Sequence, residues 1–216
     1  FTQGFSILMA QRFGAEDYGK LRQAVANSIV LSALCAVLLT AASQGLAGTA
    51  VELLKTPEDI RGIAMAYLRV LFAGLPIVMA YNLAASILRS LGDGRTPLLA
   101  MVAASLVNIA LDFLFVLGFS WRVQGAAAAT LIAQILAAGC CVWKLRHMPV
   151  LQLKREDWQL SGPLCGRLMR LGAPMAFQNT VIAVGWMILQ TIVNGFGVAV
   201  IAGFTATNKL YGVLEV

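Results

Sequence analysis

The sequence predicts an all-α fold, a polytopic bundle of transmembrane helices, and three observations carry that prediction. Apolar residues make up 59% of the 216 and charged residues only 12%, about half the charged fraction of a soluble domain. Five stretches are long and apolar enough to cross about 30 Å of hydrocarbon, which takes about 20 residues in a helix. No segment alternates apolar and polar residues with period two, which excludes a transmembrane β-barrel.

The five stretches run at about 23–48, 66–89, 97–119, 125–146 and 171–193. Residues 1–11 read as the tail of a further helix, and another starts near Val198. The chain begins at Phe1 and stops inside an apolar run, so it is expected to be an internal piece of a longer protein. Short polar connections carry the chemistry of helix ends. Thr56-Pro57-Glu58-Asp59 offers a cap, a proline at the first helical position and an acid after it. Leu91-Gly92-Asp93-Gly94-Arg95-Thr96-Pro97 ends one helix on glycine and starts the next at Thr96-Pro97.

Basic residues set the orientation. Arg12, Lys20, Arg22, Arg89, Arg95, Lys144, Arg146, Lys154, Arg155, Arg167 and Arg170 fall on one side, against Lys55, Arg61 and Arg122 on the other. The richer side is expected to face the cytoplasm, and the net charge of +6 follows from this bias. No basic stripe with interleaved aromatics appears, so nucleic acid is not an expected partner; the lipid bilayer is. Arg69, inside the second stretch, is expected to snorkel to the outer interface. Cys35, Cys140, Cys141 and Cys165 have no metal spacing and read as small reduced fillers. His147 reads as a solvated loop residue.

An enzyme finds no support. The chain has one histidine, no HExxH, no paired carboxylates in one helix and no phosphate-cradling glycine loop. Neither a metal nor an organic cofactor is expected.

One carboxylate lies deep in a predicted span. Asp112 sits about fifteen residues, or roughly 22 Å, past Pro97 at 1.5 Å per residue. An acid there costs on the order of 3 kcal/mol even on the lenient insertion scale. Asn108 precedes it by one turn and Ser105 by another, so the three share a helix face. A carboxylate held in a low dielectric takes up a proton or holds a cation, and exchanging one for the other is the minimum an antiporter needs. The simpler reading is a polar contact that pins helix packing. Thr130 follows the small-residue run Gly125 to Ala129, which permits close helix approach. Tyr67 and Asn82 lie on the preceding stretch and read singly as packing residues. Pro174 is expected to kink its helix and free a carbonyl, with Gln178, Asn179 and Thr180 answering the kink or lining a second cavity.

Several of these stretches together resemble one family. Gln11-Arg12-Phe13-Gly14-Ala15-Glu16-Asp17 resembles the loop after the second helix of multidrug and toxic compound extrusion (MATE) transporters. Leu88 to Pro97 is similar to that family's loop between helices four and five. Asn108 to Asp112 and Gly125 to Thr130 are similar to its fifth and sixth helices, and Arg170-Leu-Gly-Ala-Pro174 to the opening of its seventh. The resemblance implies a part of a twelve-helix, two-lobe fold in the inner (plasma) membrane, acting as a monomer. Residues 1–146 would be the N-terminal lobe without its first helix, 147–162 a cytoplasmic linker, and 163–216 the start of the C-terminal lobe. It also implies that Asp112, Asn108, Thr130 and Tyr67, with Asn82, form a cation or proton site. Sodium-coupled members of the NorM type carry a glutamate eight residues after the proline of helix seven. Here that position is Ile182, which moves coupling to Asp112 and the likeness towards the DinF-like branch.

Three functions follow, in this order. The first is a proton- or sodium-coupled exporter of cationic or amphipathic drugs. The second is a lipid-linked oligosaccharide flippase of the same superfamily, which would line its cavity with arginines. The third is a multi-pass membrane enzyme.

Overall fold

The computed structural model describes residues 2–53, 58–118, 122–194, 203–204 and 207–208. Every regular element among them is helical. Seven α-helices follow in order: α1 (Thr2–Gly14), α2 (Tyr18–Leu53), α3 (Glu58–Ala73), α4 (Leu75–Ser90), α5 (Arg95–Asp112), α6 (Arg122–Arg146) and α7 (Gly162–Asn194). Five segments are long and apolar enough to cross a membrane: Tyr18–Thr49, Ala64–Ser90, Arg95–Phe115, Gly125–Arg146 and Gly162–Val193. They coincide with the five stretches expected from hydropathy. The cap expected at Thr56-Pro57 and the helix expected from Val198 lie outside the described residues, apart from helical turns at 203–204 and 207–208.

The chain divides into two compact units, Phe1–Gly172 and Ala173–Val216. In the first, α4 is the hub, packed against α1, α2 and α6, while α5 packs mainly on α6. Leu83 to Leu88 are all buried. The largest core cluster joins Phe5, Leu8 and Met9 of α1 to Leu21 and Val25 of α2, Leu83 and Ile87 of α4, and Leu168 of α7. Farther along, the contact between α5 and α6 is built from alanines: Ala104 meets Ala133 and Ala137. Small residues let helix backbones approach where lipid supplies no hydrophobic drive. In the second unit, the described part of α7 has an almost wholly exposed surface from Phe177 to Ile192.

The stretch 66–89, expected as one helix, is broken. It turns over at Gly74, and α4 restarts there with Pro76 in its first turn. Pro76 has no N–H to give the Phe72 carbonyl, so the ladder cannot run through. Gly74 also marks a close approach, because a Cβ built there collides with Leu131 of α6. Arg69 is exposed, and its carbonyl accepts a 2.9 Å hydrogen bond from Gln44 Nε2 of α2.

The connections are capped by acids. Asp17 Oδ1 accepts from the Lys20 N–H at 3.2 Å and opens α2. Between α4 and α5, Gly92 takes φ +87°, a conformation that suits glycine, and the Asp93 N–H closes on Leu88 O at 2.9 Å. Asp93, not Thr96, then caps α5. Its Oδ1 accepts from the Thr96 N–H at 3.0 Å and its Oδ2 from the Thr96 hydroxyl at 2.7 Å. These bonds hold its carboxyl below the ordinary 3.8.

Residues 147–161 form an ordered strap over the basic ends of the helices. Two short 3₁₀ turns, Pro149–Leu151 and Arg155–Trp158, lie against α2. Buried Asp157 accepts from the Lys154 N–H at 2.8 Å and pairs with Arg22 Nε at 3.3 Å. Asn27, 1% exposed, donates to Gln23 O at 2.8 Å and Gln159 O at 3.2 Å. Its Oδ1 accepts from the Ser161 N–H at 3.2 Å and the Cys165 thiol at 3.4 Å. One side chain thus ties the strap and the start of α7 to α2. The four cysteines are free thiols. His147 is exposed, with its ring 4.7 Å from that of Trp143.

Three substitutions test this packing and capping. A Cβ at Gly4 would stand 2.5 Å from Leu171 O and 2.6 Å from Gly172 Cα, which is backbone and cannot yield as a side-chain tip can. Gly4→Ala is expected to destabilise by about 1–3 kcal/mol, read as a lower melting temperature of the full-length protein in detergent. Gly14→Ala, where nothing lies within 4 Å, should leave it unchanged. Asp93→Ala should cost about 1 kcal/mol as a lost cap. Because the folded carboxyl titrates below 3.8, its contribution is present above that pH and fades as the pH falls through its lowered value. The melting difference between wild type and Asp93→Ala should therefore be full at neutral pH and shrink below about pH 4.

Candidate functional site

Asp112 is the last residue of α5, and the chain winds on as a π-helix over Phe113–Gly118. The wider turn needs six residues where α-helix needs fewer, and such turns recur at functional sites. No sequence pattern had marked it. Asp112 and Asn108 are both half-buried. Among the described residues, Asp112 Oδ1 and Asn108 Nδ2 are shielded from solvent and have no hydrogen-bond partner.

Facing them, α6 contributes two polar residues one turn apart. Thr130 is exposed, and its hydroxyl donates to Ala126 O at 2.9 Å. Gln134, four residues on, places Oε1 in a shielded position without a donor. Ser105, Asn108, Thr130 and Gln134, with Tyr81 of α4, line a cavity of about 160 Å³ floored by Ala104, Ala133 and Ala137. The Tyr81 hydroxyl donates to Pro97 O at 3.4 Å, closing the α4 side. Asp112 stands one turn past Asn108, beyond the lining.

The structure therefore brings Ser105, Asn108 and Thr130 to one cavity and sets Asp112 beside it. It also adds Tyr81 and Gln134, which hydropathy reading passed over. A signal for Gln134 existed: it is the one strongly polar side chain between Thr130 and Lys144, and its spacing from Thr130 is one turn. Tyr81 offered no such signal, since its place depends on the break at Gly74. Asn82 is exposed and donates to Val78 O of its own helix at 2.9 Å. Tyr67, half-buried on α3, is likewise outside the lining. Gln178 and Asn179 lie on the exposed surface of α7 within the second unit. Pro174 sits inside α7, which continues through it, and the nearby Thr180 hydroxyl donates to Ala176 O at 2.9 Å.

The chemistry of the set is an excess of acceptors. Two shielded oxygens, Asp112 Oδ1 and Gln134 Oε1, lack donors, and one shielded amide, Asn108 Nδ2, lacks an acceptor. A shielded acceptor without a donor costs about 1–3 kcal/mol, and more for a charged oxygen. A cation, or a proton on the carboxylate, removes that cost. Among the described residues, no group of three or more His, Cys, Asp or Glu could hold a metal ion.

Known proteins bear on this arrangement. A model of the MatE family matches residues 1–114, just over half of the chain. A probable multidrug resistance protein, YpnP of Bacillus subtilis, is 30% identical over 210 residues, covering 96% of this chain and 46% of the relative. A crystal structure of MATE in the bent conformation aligns with TM-score 0.86 at 25% identity, over 98% of this chain and 48% of the other. An inward-facing multidrug resistance MATE transporter of the MOP superfamily aligns with TM-score 0.75 at 28% identity, over 80% of this chain and 40% of the other. The chain thus spans about half the length of the relatives it matches. Five apolar spans, an all-helical fold shared along its length with MATE structures, and the match over residues 1–114 lead to one conclusion: the chain belongs to the MatE family of multi-pass membrane proteins.

Proposed function

We propose that this chain serves a secondary active antiporter that exports cationic or amphipathic drugs or toxic compounds in exchange for protons or sodium ions, by alternating access. The observation that carries the reading is the shielded Asp112 Oδ1, without a donor among the described residues and one turn from the shielded Asn108 amide, in a span where an acid needs a compensating cation or proton. The π-turn places the carboxylate where two helix geometries meet. The names of relatives, multidrug resistance proteins, support drug export, and the inward-facing state of one solved relative supports alternation between faces. The cavity lining contains no arginine, which speaks for a cationic cargo over a pyrophosphate-linked one.

Within this reading, Asp112 exchanges the coupling ion and Asn108, Gln134 and Thr130 complete its shell. Residues 1–146 form the first lobe, 147–162 the linker and 163–216 the opening of the second. Gln178 and Asn179 would line the second lobe's cavity. The basic ends face the cytoplasm of the plasma membrane, on the eleven-to-three bias of Lys and Arg.

The test uses the full-length gene in a drug-sensitive host and follows energised efflux of a cationic dye at matched expression. Asp112→Asn should lower efflux at least tenfold, the equivalent of about 1.4 kcal/mol or more from a lost charge-assisted contact. Equal efflux by wild type and variant would make Asp112 a packing residue, and no efflux by either would remove the drug-export reading. Gln134→Leu, which removes the carboxamide at similar volume, is expected to shift the sodium or proton concentration giving half-maximal efflux several-fold. An unchanged dependence would take Gln134 out of the site.

A further inference from the structure

A second cavity lies at the basic end, between α2, α4, α6 and the strap. Its volume is about 370 Å³, within the range of small-molecule sites. α2 and α6 both pack on α4, and between them α4 forms the floor of a groove. Val25 and Ile29 make one wall, Leu83 and Ile87 the floor, Leu145 the other wall, and the strap closes the basic end with Leu151 and Trp158. The lining is apolar except for Arg146 and the Trp158 indole N–H.

Arg146 is exposed and makes no ion pair among the described residues. The acid nearest the core of the strap, Asp157, is already held by Arg22 at 3.3 Å. A groove with an apolar body and one free cation at its end selects an amphipathic anion. A cationic drug would meet Arg146 and be repelled. Trp158, 46% exposed, has the amphipathic character of a residue at the membrane–water interface. All three helices forming the groove carry transmembrane spans, and basic pockets between such helices on the cytoplasmic side take anionic lipid headgroups.

We propose that the groove between α2 and α6 holds one acyl chain of an anionic phospholipid, with its phosphate on Arg146 and its glycerol beside Trp158. The lipid lies directly beneath the strap that Asn27 and Arg22 fasten to α2, so its binding stabilises the docked strap. This site is separate from Asp112 and does not depend on what is exported.

The experiment reconstitutes the full-length transporter in phosphatidylcholine nanodiscs. A small fraction of phosphatidylglycerol carries a photoreactive group on its acyl chain, and adducts are mapped by peptide mass spectrometry. Adducts should concentrate in 80–87 and 149–158. Arg146→Glu, at an exposed position that leaves folding intact, should cut their yield at least fivefold. Ala80→Leu, also exposed and lining the groove, should cut it by occupying the space with Arg146 in place. The proposal is overturned if a phosphatidylcholine analogue labels these peptides equally, if Arg146→Glu leaves the yield unchanged, or if adducts spread evenly over α5. It is overturned equally if the groove stays unlabelled because another segment of the transporter fills it.

Discussion

Hydrocarbon offers no partner to a backbone amide or to a side-chain oxygen, and a chain that crosses it must satisfy each polar group from within. In this protein the backbone answers by being helical in every described span. The side chains answer locally: Thr130, Thr180 and Thr191 return their hydroxyls to carbonyls four residues back. Asn82 does the same with its amide. Against that background, the few atoms left unanswered stand out. Among the described residues, Asp112 Oδ1, Gln134 Oε1 and Asn108 Nδ2 are shielded without a partner, as are the hydroxyls of Ser28, Ser32, Thr40 and Ser86; of these only Asp112 can carry a charge.

The same constraint governs packing. Apolar side chains gain little from leaving lipid for each other, so association rests on close contact. Alanines between α5 and α6, Gly4 against the α7 backbone and Gly74 against Leu131 are where that contact is made. The basic end is held differently. There the helices leave the hydrocarbon, and a buried ion pair and a buried asparagine can be hydrogen-bonded to a strap of irregular backbone.

The spans were legible in the sequence because they depend on length and hydropathy alone, and the turn around Gly92 because left-handed backbone calls for glycine. Asp112 and Asn108 were legible because a polar pair one turn apart in an apolar run is costly enough to be conspicuous. The break at Gly74 was hidden because its cause is split between Pro76 and the approach of α6, a contact formed 57 residues further along the chain. Tyr81 was hidden with it. The cap at α5 went to Asp93 instead of Thr96 because the carboxylate reaches both the amide and the hydroxyl of Thr96, a geometry that spacing does not rank. Asn27 drew no notice at all, since its partners outside its own helix lie 132 to 138 residues away.

That separation has a consequence for how the molecule is made. At about 5–20 residues per second, a ribosome needs on the order of 7 to 28 seconds after Asn27 to deliver Gln159, Ser161 and Cys165. For most of that interval α2 is complete, with a carboxamide near its basic end that has only the Gln23 carbonyl within its own helix to bond. Water and lipid headgroups must serve as its provisional partners, and they are displaced when the strap arrives. The nascent first unit is therefore unsealed at this end until the start of α7 has been translated.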